Sequence, residues 1–293
     1  MANLTADQIK AVKAQGFLRN RGTDCFSGRV VSSAGEFTAD QMTTLAEIAR
    51  RFGDGRLLNT ARQAVELPGI PYDKIPEAQA YLAAANCGLA FGGTGAKIRP
   101  IVSCKGSTCV YGNCDTLGIA RRIHEEYYLG KTDLKLPHKF KIAVGGCPNS
   151  CMKPSINDFG IEGHRVPVVD TSLCRGCPKC FIEASCPSKV AHVVDGKISI
   201  GEGCLSCGVC TGKCPFGAIA KQTETVFQIY VGGTWGKKRR TGTPLSRMVK
   251  EEEIWTLLDR SLEWFAANAN AGERFGAAID RVGIDKLEAY LFA

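Results

Sequence analysis

The sequence has no long run of apolar residues, and this excludes one class of protein. No stretch in the 293 residues approaches the roughly 18 apolar residues that a membrane-spanning helix needs. Residues 1–20 mix Lys, Gln and Asp with apolar residues and contain no small-residue cleavage site, so we expect no signal peptide. We therefore expect a cytoplasmic protein that does not insert into a membrane.

Two patterns of ligand-binding residues are also missing. Gly92, Gly93 and Gly95 stand close together but lack the G-x-G-x-x-G spacing, so we expect no flavin or nicotinamide site. Histidine is scarce, and no histidine has the spacing of a metal ligand. We interpret all four histidines as structural: His124, His138, His164 and His192.

Cysteine, by contrast, is abundant. The 15 cysteines bunch at short spacings in a chain too long for a small disulfide-stapled protein, and this pattern indicates metal sites. We assign no role to Cys25, Cys87 and Cys114. The net charge of +8 would favour a polyanionic partner such as nucleic acid, unless the protein holds anionic cofactors of its own.

Hydrophobic periodicity and turn residues predict alternating helices and strands in an α+β fold. Capping boxes at residues 5–8 and 38–41 open two helices, and the second of these is expected to bury Met42, Leu45, Ile48 and Phe52 before it ends at Gly53. Further helices are expected over 73–87 and 116–129, and in the tail 245–293. Strands are expected over 56–59, 63–67, 98–103, 140–144 and 226–231. We expect the tail's Ile254, Leu257, Leu258, Leu262 and Phe265, and also Trp235, to lie in the core.

Two dense cysteine runs predict ferredoxin-type [4Fe–4S] clusters. The first run is C-x2-C-x2-C-x5-C-P and comprises Cys174, Cys177, Cys180 and Cys186. The second is C-x2-C-x2-C-x3-C-P, the spacing of bacterial ferredoxins, and comprises Cys204, Cys207, Cys210 and Cys214. The fourth cysteine of each run ligates the other cluster in two-cluster ferredoxins, which predicts that Cys214 joins the first three and Cys186 the second three. A pair of structural zinc sites is the alternative, but these use two C-x2-C knuckles.

Two more cysteine pairs lie upstream. Cys104 and Cys109 precede Cys147 and Cys151, and the loop between the latter two contains Pro148 and Asn149. Spacing alone indicates a third cluster here, with free or zinc-bound thiols as the alternative.

Several short motifs in order resemble the sulfite/nitrite reductase family, whose members carry sirohaem coupled to a [4Fe–4S] cluster. They are residues 60–63 (TARQ), 98–99 (IR), 139–141 (KFK), 146–151 (GCPNSC) and 231–240 (VGGTWGKKRR). The resemblance implies a ferredoxin-like half-domain over 1–95 and a sirohaem/[4Fe–4S] domain over 96–170 and 223–293, the latter with C-terminal helices. A two-cluster ferredoxin module over 171–222 is inserted in it, as in the dissimilatory and anaerobic branches.

The resemblance also implies roles for individual residues. The third cluster would use Cys104, Cys109, Cys147 and Cys151, and Cys151 would also touch the sirohaem iron. Arg62, Arg99, Lys139 and Lys141 would bind the substrate oxyanion and protonate it. Contacts to the sirohaem would come from Thr60, Asn149, Lys237, Lys238, Arg239 and Arg240. The cysteine spacing is one departure from the family's pattern, and the single half-domain is the other. The first cysteine pair encloses four residues where the family usually has five, so Cys114 could replace Cys104 or Cys109. The basic run 237–240 could also be a solvated turn.

Two independent observations fit these roles. Lys139 and Lys141 flank Phe140 on one predicted strand, and the period of two puts both on the same face. The acidic groups of sirohaem and of three clusters would also offset the charge of +8, which removes the reason to expect nucleic acid.

The predicted function is therefore the six-electron reduction of sulfite to sulfide at sirohaem. Electrons would enter through the two ferredoxin-type clusters from a ferredoxin-like donor or a partner subunit. Because larger family members carry two half-domains and this chain has one, we expect a homo- or hetero-oligomer. The alternatives are nitrite reduction to ammonia, a non-catalytic electron-transfer subunit, and a zinc-dependent nucleic-acid module.

Overall fold

The computed structural model describes residues 4–293, which divide into two compact units. The first unit comprises residues 4–102, Ala120–Ile142 and Ala269–Arg274. The second comprises Ser103–Ile119, Ala143–Asn268 and Phe275–Ala293. No helix in the described part of the chain is long and apolar enough to cross a membrane.

The first unit is an antiparallel sheet with helices against one face. Its helices are α1 (Ala6–Ala14), α2 (Ala39–Phe52) and α3 (Ile75–Ala84), and its strands are β1 (Phe17–Arg19), β2 (Cys25–Val31), β3 (Leu58–Asn59), β4 (Val65–Pro71) and β5 (Ala90–Phe91). The strand order is β1-β2-β4-β3, and β5 pairs with Val30 and Val31 at the end of β2. Residues such as Phe26, Leu45, Ile48 and Leu67 form the core between sheet and helices.

The two predicted capping boxes are confirmed. The Thr5 hydroxyl accepts the Gln8 N–H at 3.2 Å, and the Thr38 hydroxyl accepts the Gln41 N–H at 3.2 Å. Helix α2 ends before Gly53, whose N–H donates to the Ala49 carbonyl. Leu45 and Ile48 are buried as predicted and Phe52 packs at the edge of the core, whereas Met42 is exposed.

The second unit contains a larger sheet and the C-terminal helices. The strands of the sheet are β6 (Val102–Ser103), β7 (Ile142–Gly145), β8 (Phe159–Arg165), β11 (Thr225–Val231) and β12 (Thr243–Pro244). Their order in the sheet is β12-β11-β8-β7-β6. The first residues of β6 and β7, Val102 and Ile142, are assigned to the first unit. The tail forms α6 (Glu251–Asn268), α7 (Phe275–Val282) and α8 (Ile284–Leu291). The five apolar tail residues predicted to be core are all buried.

The cysteine-rich segment 171–222 has little regular structure. It contains the short helix α5 (Phe181–Ser185) and an antiparallel hairpin of β9 (Ala191–Val194) and β10 (Lys197–Ile200). A small apolar cluster that includes Ile182, Ile198 and Ile219 lies among its cysteines. The domain bounds given above remain a prediction.

The α+β class is confirmed, but several predicted elements are shorter than expected. Helix α4 (Thr116–Ile123) passes into a π-helical turn at His124–Leu129 instead of continuing as one α-helix. The strand predicted over 98–103 is reduced to β6, because Pro100 has no N–H to donate to a sheet. The strand predicted over 140–144 begins only at Ile142.

Candidate functional site

One cavity of the first unit gathers the predicted substrate-binding cations. It has a volume of about 350 Å³. Its lining includes Arg62, Arg99, Lys139 and Lys141, together with Thr60, Arg29 and Lys13. The four cations come from three separate stretches of sequence, so only the fold brings them together.

A tight turn between β3 and β4 presents Arg62. The Thr60 hydroxyl accepts the N–H groups of Arg62 at 3.3 Å and of Ala64 at 3.1 Å, and Gln63 adopts a left-handed φ of 55°. The Arg62 guanidinium donates to the carbonyl oxygens of Pro100 at 2.6 Å and Ile142 at 2.8 Å. Both acceptors are neutral carbonyl oxygens, and they help to fix the position of the guanidinium.

The Arg99 side chain is partly buried, and one of its hydrogen-bond donors lacks an acceptor. One terminal nitrogen donates to the Gly93 carbonyl, but within residues 4–293 its buried Nε has no hydrogen-bond partner. Burial lowers the pKa of Arg99, and the neighbouring charge of Arg29 lowers it further. A buried donor without an acceptor costs about 1–3 kcal/mol, so this site is suited to an oxyanion that supplies one.

Lys139 and Lys141 both line the cavity, although they do not lie on a regular strand. Phe140 forms an isolated parallel bridge with Ile98, and the Arg99 N–H donates to the Phe140 carbonyl at 2.8 Å. Phe140 is fully buried. The extended backbone of this bridge therefore gives the alternation that was predicted from a strand, two residues before β7 begins.

Arg29 is a cavity residue that was not predicted from the sequence. Arg29 lies opposite Glu66 in the β2–β4 register and forms an ion pair with it at 2.7 Å. It also donates to the Gly93 carbonyl at 3.0 Å, the same acceptor that Arg99 uses. A signal was present, because a charged residue between Gly28 and Val30 in an otherwise apolar strand must face away from the core.

The second unit brings the upstream cysteine pairs together. Burial raises the pKa of Cys147, the Asn149 N–H lowers it, and the nearby sulfurs of Cys104, Cys109 and Cys151 raise it again. The Cys104 sulfur accepts the Gly146 N–H at 3.2 Å. The four cysteines predicted to ligate the third cluster thus lie in the same part of the second unit, and backbone N–H groups are directed at the sulfurs of Cys104 and Cys147.

The absence of a side chain at Gly146 lets the loop before Cys147 lie close to Gly106 and Thr116. A Cβ on Gly146 would lie 3.0 Å from the Gly106 Cα and 3.1 Å from a Thr116 methyl carbon. Ser150, within the C-x3-C loop, adopts a left-handed φ of 51°.

Cys114 also lies near Cys104 and Cys147. Burial raises its pKa to about 12, and the charges of those two cysteines contribute. Its sulfur packs against the backbone of β8, where a Cβ on Gly163 would lie 2.8 Å away. Cys104 and Cys109 as ligands, rather than Cys114 in place of one of them, remain a prediction.

Cysteines of both ferredoxin-type runs line each of two cavities. One cavity of about 420 Å³ is lined by Cys174, Cys177, Cys180 and Cys214. A smaller one of about 20 Å³ is lined by Cys186, Cys204, Cys207 and Cys210. In each set, three cysteines of one run meet the fourth cysteine of the other.

Backbone N–H groups point at these sulfurs as well. The Ile198 N–H donates to the Cys174 sulfur at 3.2 Å, and the N–H groups of Gly176 and Ile198 lower the pKa of that thiol. The Ser206 N–H donates to the Cys204 sulfur at 3.4 Å. Burial raises the pKa of Cys210 to about 11. Four thiols with N–H donors around each cavity fit the ligand chemistry of [4Fe–4S] clusters.

The loop 231–240 divides into one structural and three exposed basic residues. Arg240 forms an ion pair with Asp280 at 2.9 Å and donates to the carbonyls of Val231 and Gly232, so its guanidinium is used within the protein. The exposed basic residues are Lys237, Lys238 and Arg239. Trp235 is 58% exposed, so its predicted core position is wrong; the Arg239 guanidinium lies over its ring at 5.1 Å.

Two family models match this chain. A nitrite and sulphite reductase 4Fe-4S domain matches residues 94–291. A nitrite/sulfite reductase ferredoxin-like half domain matches residues 19–85.

Individual proteins are similar over most of the chain. An uncharacterized protein of Methanocaldococcus jannaschii is 31% identical over 266 residues, which cover 90% of each protein. One subunit of the anaerobic sulfite reductase of Salmonella typhimurium is 29% identical over 261 residues, 80% of this chain and 72% of that protein. The crystal structure of dissimilatory sulfite reductase I superposes with a TM-score of 0.74 at 22% identity, over 92% of this chain and 69% of that one. This superposition shows a shared fold.

Proposed function

We propose a function from one established premise: this chain belongs to the nitrite and sulphite reductase family. We infer that it reduces sulfite to sulfide with six electrons. The observation that carries this inference is the cavity of the first unit, where Arg62, Arg99, Lys139 and Lys141 meet. A cavity lined by several cations is suited to a small oxyanion such as sulfite.

The cysteine sets of the second unit would hold three [4Fe–4S] clusters, and Cys151 would also ligate the iron of a sirohaem. The exposed cations of the loop 231–240, with Thr60 and Asn149, are our candidates for contacts to the sirohaem. Arg240 is the weakest of the basic candidates, because its ion pair with Asp280 already uses its guanidinium. When bound, a sirohaem coupled to a cluster supplies the electrons and the iron at which S–O bonds are cleaved.

The chain's own residues would bind and protonate the anion. Arginine offers a planar fork for oxyanions and stays charged, so Arg62 and Arg99 are assigned to binding. Lysine can release a proton, so Lys139 and Lys141 are assigned to protonating oxygen as it leaves as water. Within residues 4–293 the Nε of Arg99 has no acceptor, and this supports Arg99 as a residue that an anion would satisfy.

Electrons would reach the protein from a one-electron donor such as a ferredoxin-like protein or a partner subunit. The similar Salmonella protein is a subunit by name, which supports an oligomer for this chain too. The family name covers nitrite as well as sulfite, so nitrite reduction to ammonia is the second candidate.

Single substitutions of the two lysines test the assignment. We expect Lys139→Ala and Lys141→Ala each to lower kcat for sulfite about 10²- to 10⁴-fold, the contribution typical of a general acid. Lys139→Arg keeps the charge and should preserve KM better than kcat. Exposed Lys10 on α1 is the control, and Lys10→Ala should leave both constants unchanged.

The assay measures sulfide and ammonium in parallel, with reduced methyl viologen as donor. Faster turnover of nitrite than of sulfite would favour the second candidate. A protein that reduces neither anion while its clusters take up electrons would instead be an electron-transfer subunit.

A further inference from the structure

Asn113 links two of the cysteine-rich segments in the second unit. Its side chain is 94% buried, and its Nδ2 donates to the Cys207 carbonyl and to the Gly163 carbonyl, both at 3.3 Å. Its backbone N–H donates to the Gly146 carbonyl at 2.8 Å. The Thr225 hydroxyl donates to the Asn113 carbonyl at 2.7 Å. The side-chain amide, the backbone N–H and the backbone carbonyl of Asn113 are thus all hydrogen-bonded.

The two ends of this link belong to different cluster sites. Gly146 directly precedes Cys147 of the third cluster site, and Cys207 belongs to the second ferredoxin-type run. Cys147 and Cys207 also border one cavity of about 410 Å³. By contrast, the lining of the cavity around Cys174 comes entirely from residues 174–218.

The segment around Cys207 is fixed to the large sheet as well. The Arg165 N–H at the end of β8 donates to the Ser206 carbonyl at 2.8 Å, and a His164 ring nitrogen lies 3.0 Å from the Leu205 carbonyl oxygen. His164 is in turn held by Glu162 at 3.1 Å, and both side chains are buried. The position of this run relative to the Cys147 loop is thus determined by hydrogen bonds.

We propose that these contacts set the order of electron transfer and that Asn113 is its positioning residue. The cluster on Cys186, Cys204, Cys207 and Cys210 delivers electrons to the third cluster, and the cluster on Cys174, Cys177, Cys180 and Cys214 receives them first from the donor. Each transfer moves one electron from a reduced cluster to an oxidised one, and no bond forms or breaks. The order rests on the proposed function, because it requires all three clusters.

Electron paramagnetic resonance of the partly reduced enzyme tests the order. Cys204→Ala removes the inner ferredoxin-type cluster, so the signal of the remaining one should show no magnetic splitting from the third cluster. Cys177→Ala removes the outer one, and the remaining signal should then be split. The opposite pattern, or equal splitting in both variants, would overturn the order.

Asn113→Leu tests the positioning role, because leucine has a similar volume and no donor. With full iron content, we expect reduction of the third cluster by a reduced ferredoxin to slow about 10- to 100-fold in stopped-flow absorbance, the cost typical of lost positioning. Asn268→Leu is the matched control, since Asn268 also donates its amide to a carbonyl, that of Trp264 at 3.0 Å.

The failures can be told apart. An unchanged rate in iron-replete Asn113→Leu would reject the role of Asn113. If Asn113→Leu does not load its clusters, the splitting pattern of the two cysteine variants still decides the order. A wild-type protein without sirohaem absorption would reject the proposed function itself.

Discussion

Arg29 and Arg99 line the same cavity and donate to the same Gly93 carbonyl, yet their electrostatic situations differ. Arg29 has a carboxylate partner, Glu66, at 2.7 Å, whereas the Nε of Arg99 has no partner within residues 4–293 and its pKa is lowered by burial. A charge that is buried without full compensation reduces stability. Such a cost is typical of residues that are retained for binding.

This difference predicts opposite effects of the same substitution. Arg99→Met removes an incompletely satisfied charge, so the free energy of unfolding without substrate should stay the same or rise, while the KM for sulfite increases. Arg29→Met leaves Glu66 unpaired and should lower the free energy of unfolding by about 1–3 kcal/mol. Urea unfolding of both variants measures this. Equal destabilisation by the two substitutions would contradict the assignment of Arg99 to anion binding.

At the scale of secondary structure, elements with local signals could be predicted from the sequence. The capping boxes at Thr5 and Thr38 depend on residues three positions apart, and both form. Strand lengths depend on partners far away in the chain, and here three of the five predicted strands, 56–59, 98–103 and 140–144, were too long. Residues 98–101 form no regular strand, and Ile98 pairs with Phe140 in an isolated bridge; Pro100 has no N–H to donate to a neighbouring strand.

In the candidate site, too, features with a local sequence signal were predicted and features that depend on distant parts of the chain were not. Lys139 and Lys141 were expected on one side of Phe140, and they line one cavity even though β7 starts later. Arg29 was missed although its position between Gly28 and Val30 was a signal, because its ion pair with Glu66 depends on a cross-strand register that the sequence alone does not give. Trp235 was placed in the core because it is large and apolar, but it is exposed, and the Arg239 guanidinium lies over its ring.

The crossed arrangement of the ferredoxin-type runs leads to a prediction about pairs of substitutions. If Cys214 and Cys177 hold the same cluster, Cys177→Ser with Cys214→Ser should lose no more iron than either alone, about four per chain. Cys207→Ser with Cys214→Ser should lose about eight, because two clusters are affected. Iron and acid-labile sulfide analysis of these variants decides this. The reverse result would show that each run binds its own cluster.

For the whole molecule, each unit supplies a different part of the proposed chemistry. The first unit holds the cations that suit an oxyanion, and the second holds the 12 cysteines proposed as cluster ligands, together with Cys114. The net charge of +8 belongs to the protein without cofactors. Anionic clusters and the carboxylates of a sirohaem would offset it, so the basic composition needs no external polyanion.

Anaerobic purification followed by iron and acid-labile sulfide analysis and a visible spectrum tests the central claim most directly. One sirohaem and three [4Fe–4S] clusters predict about 13 irons and about 12 sulfides per chain, with sirohaem absorption bands. A protein that binds zinc without acid-labile sulfide, or one with about 12 irons and no sirohaem bands, would contradict it.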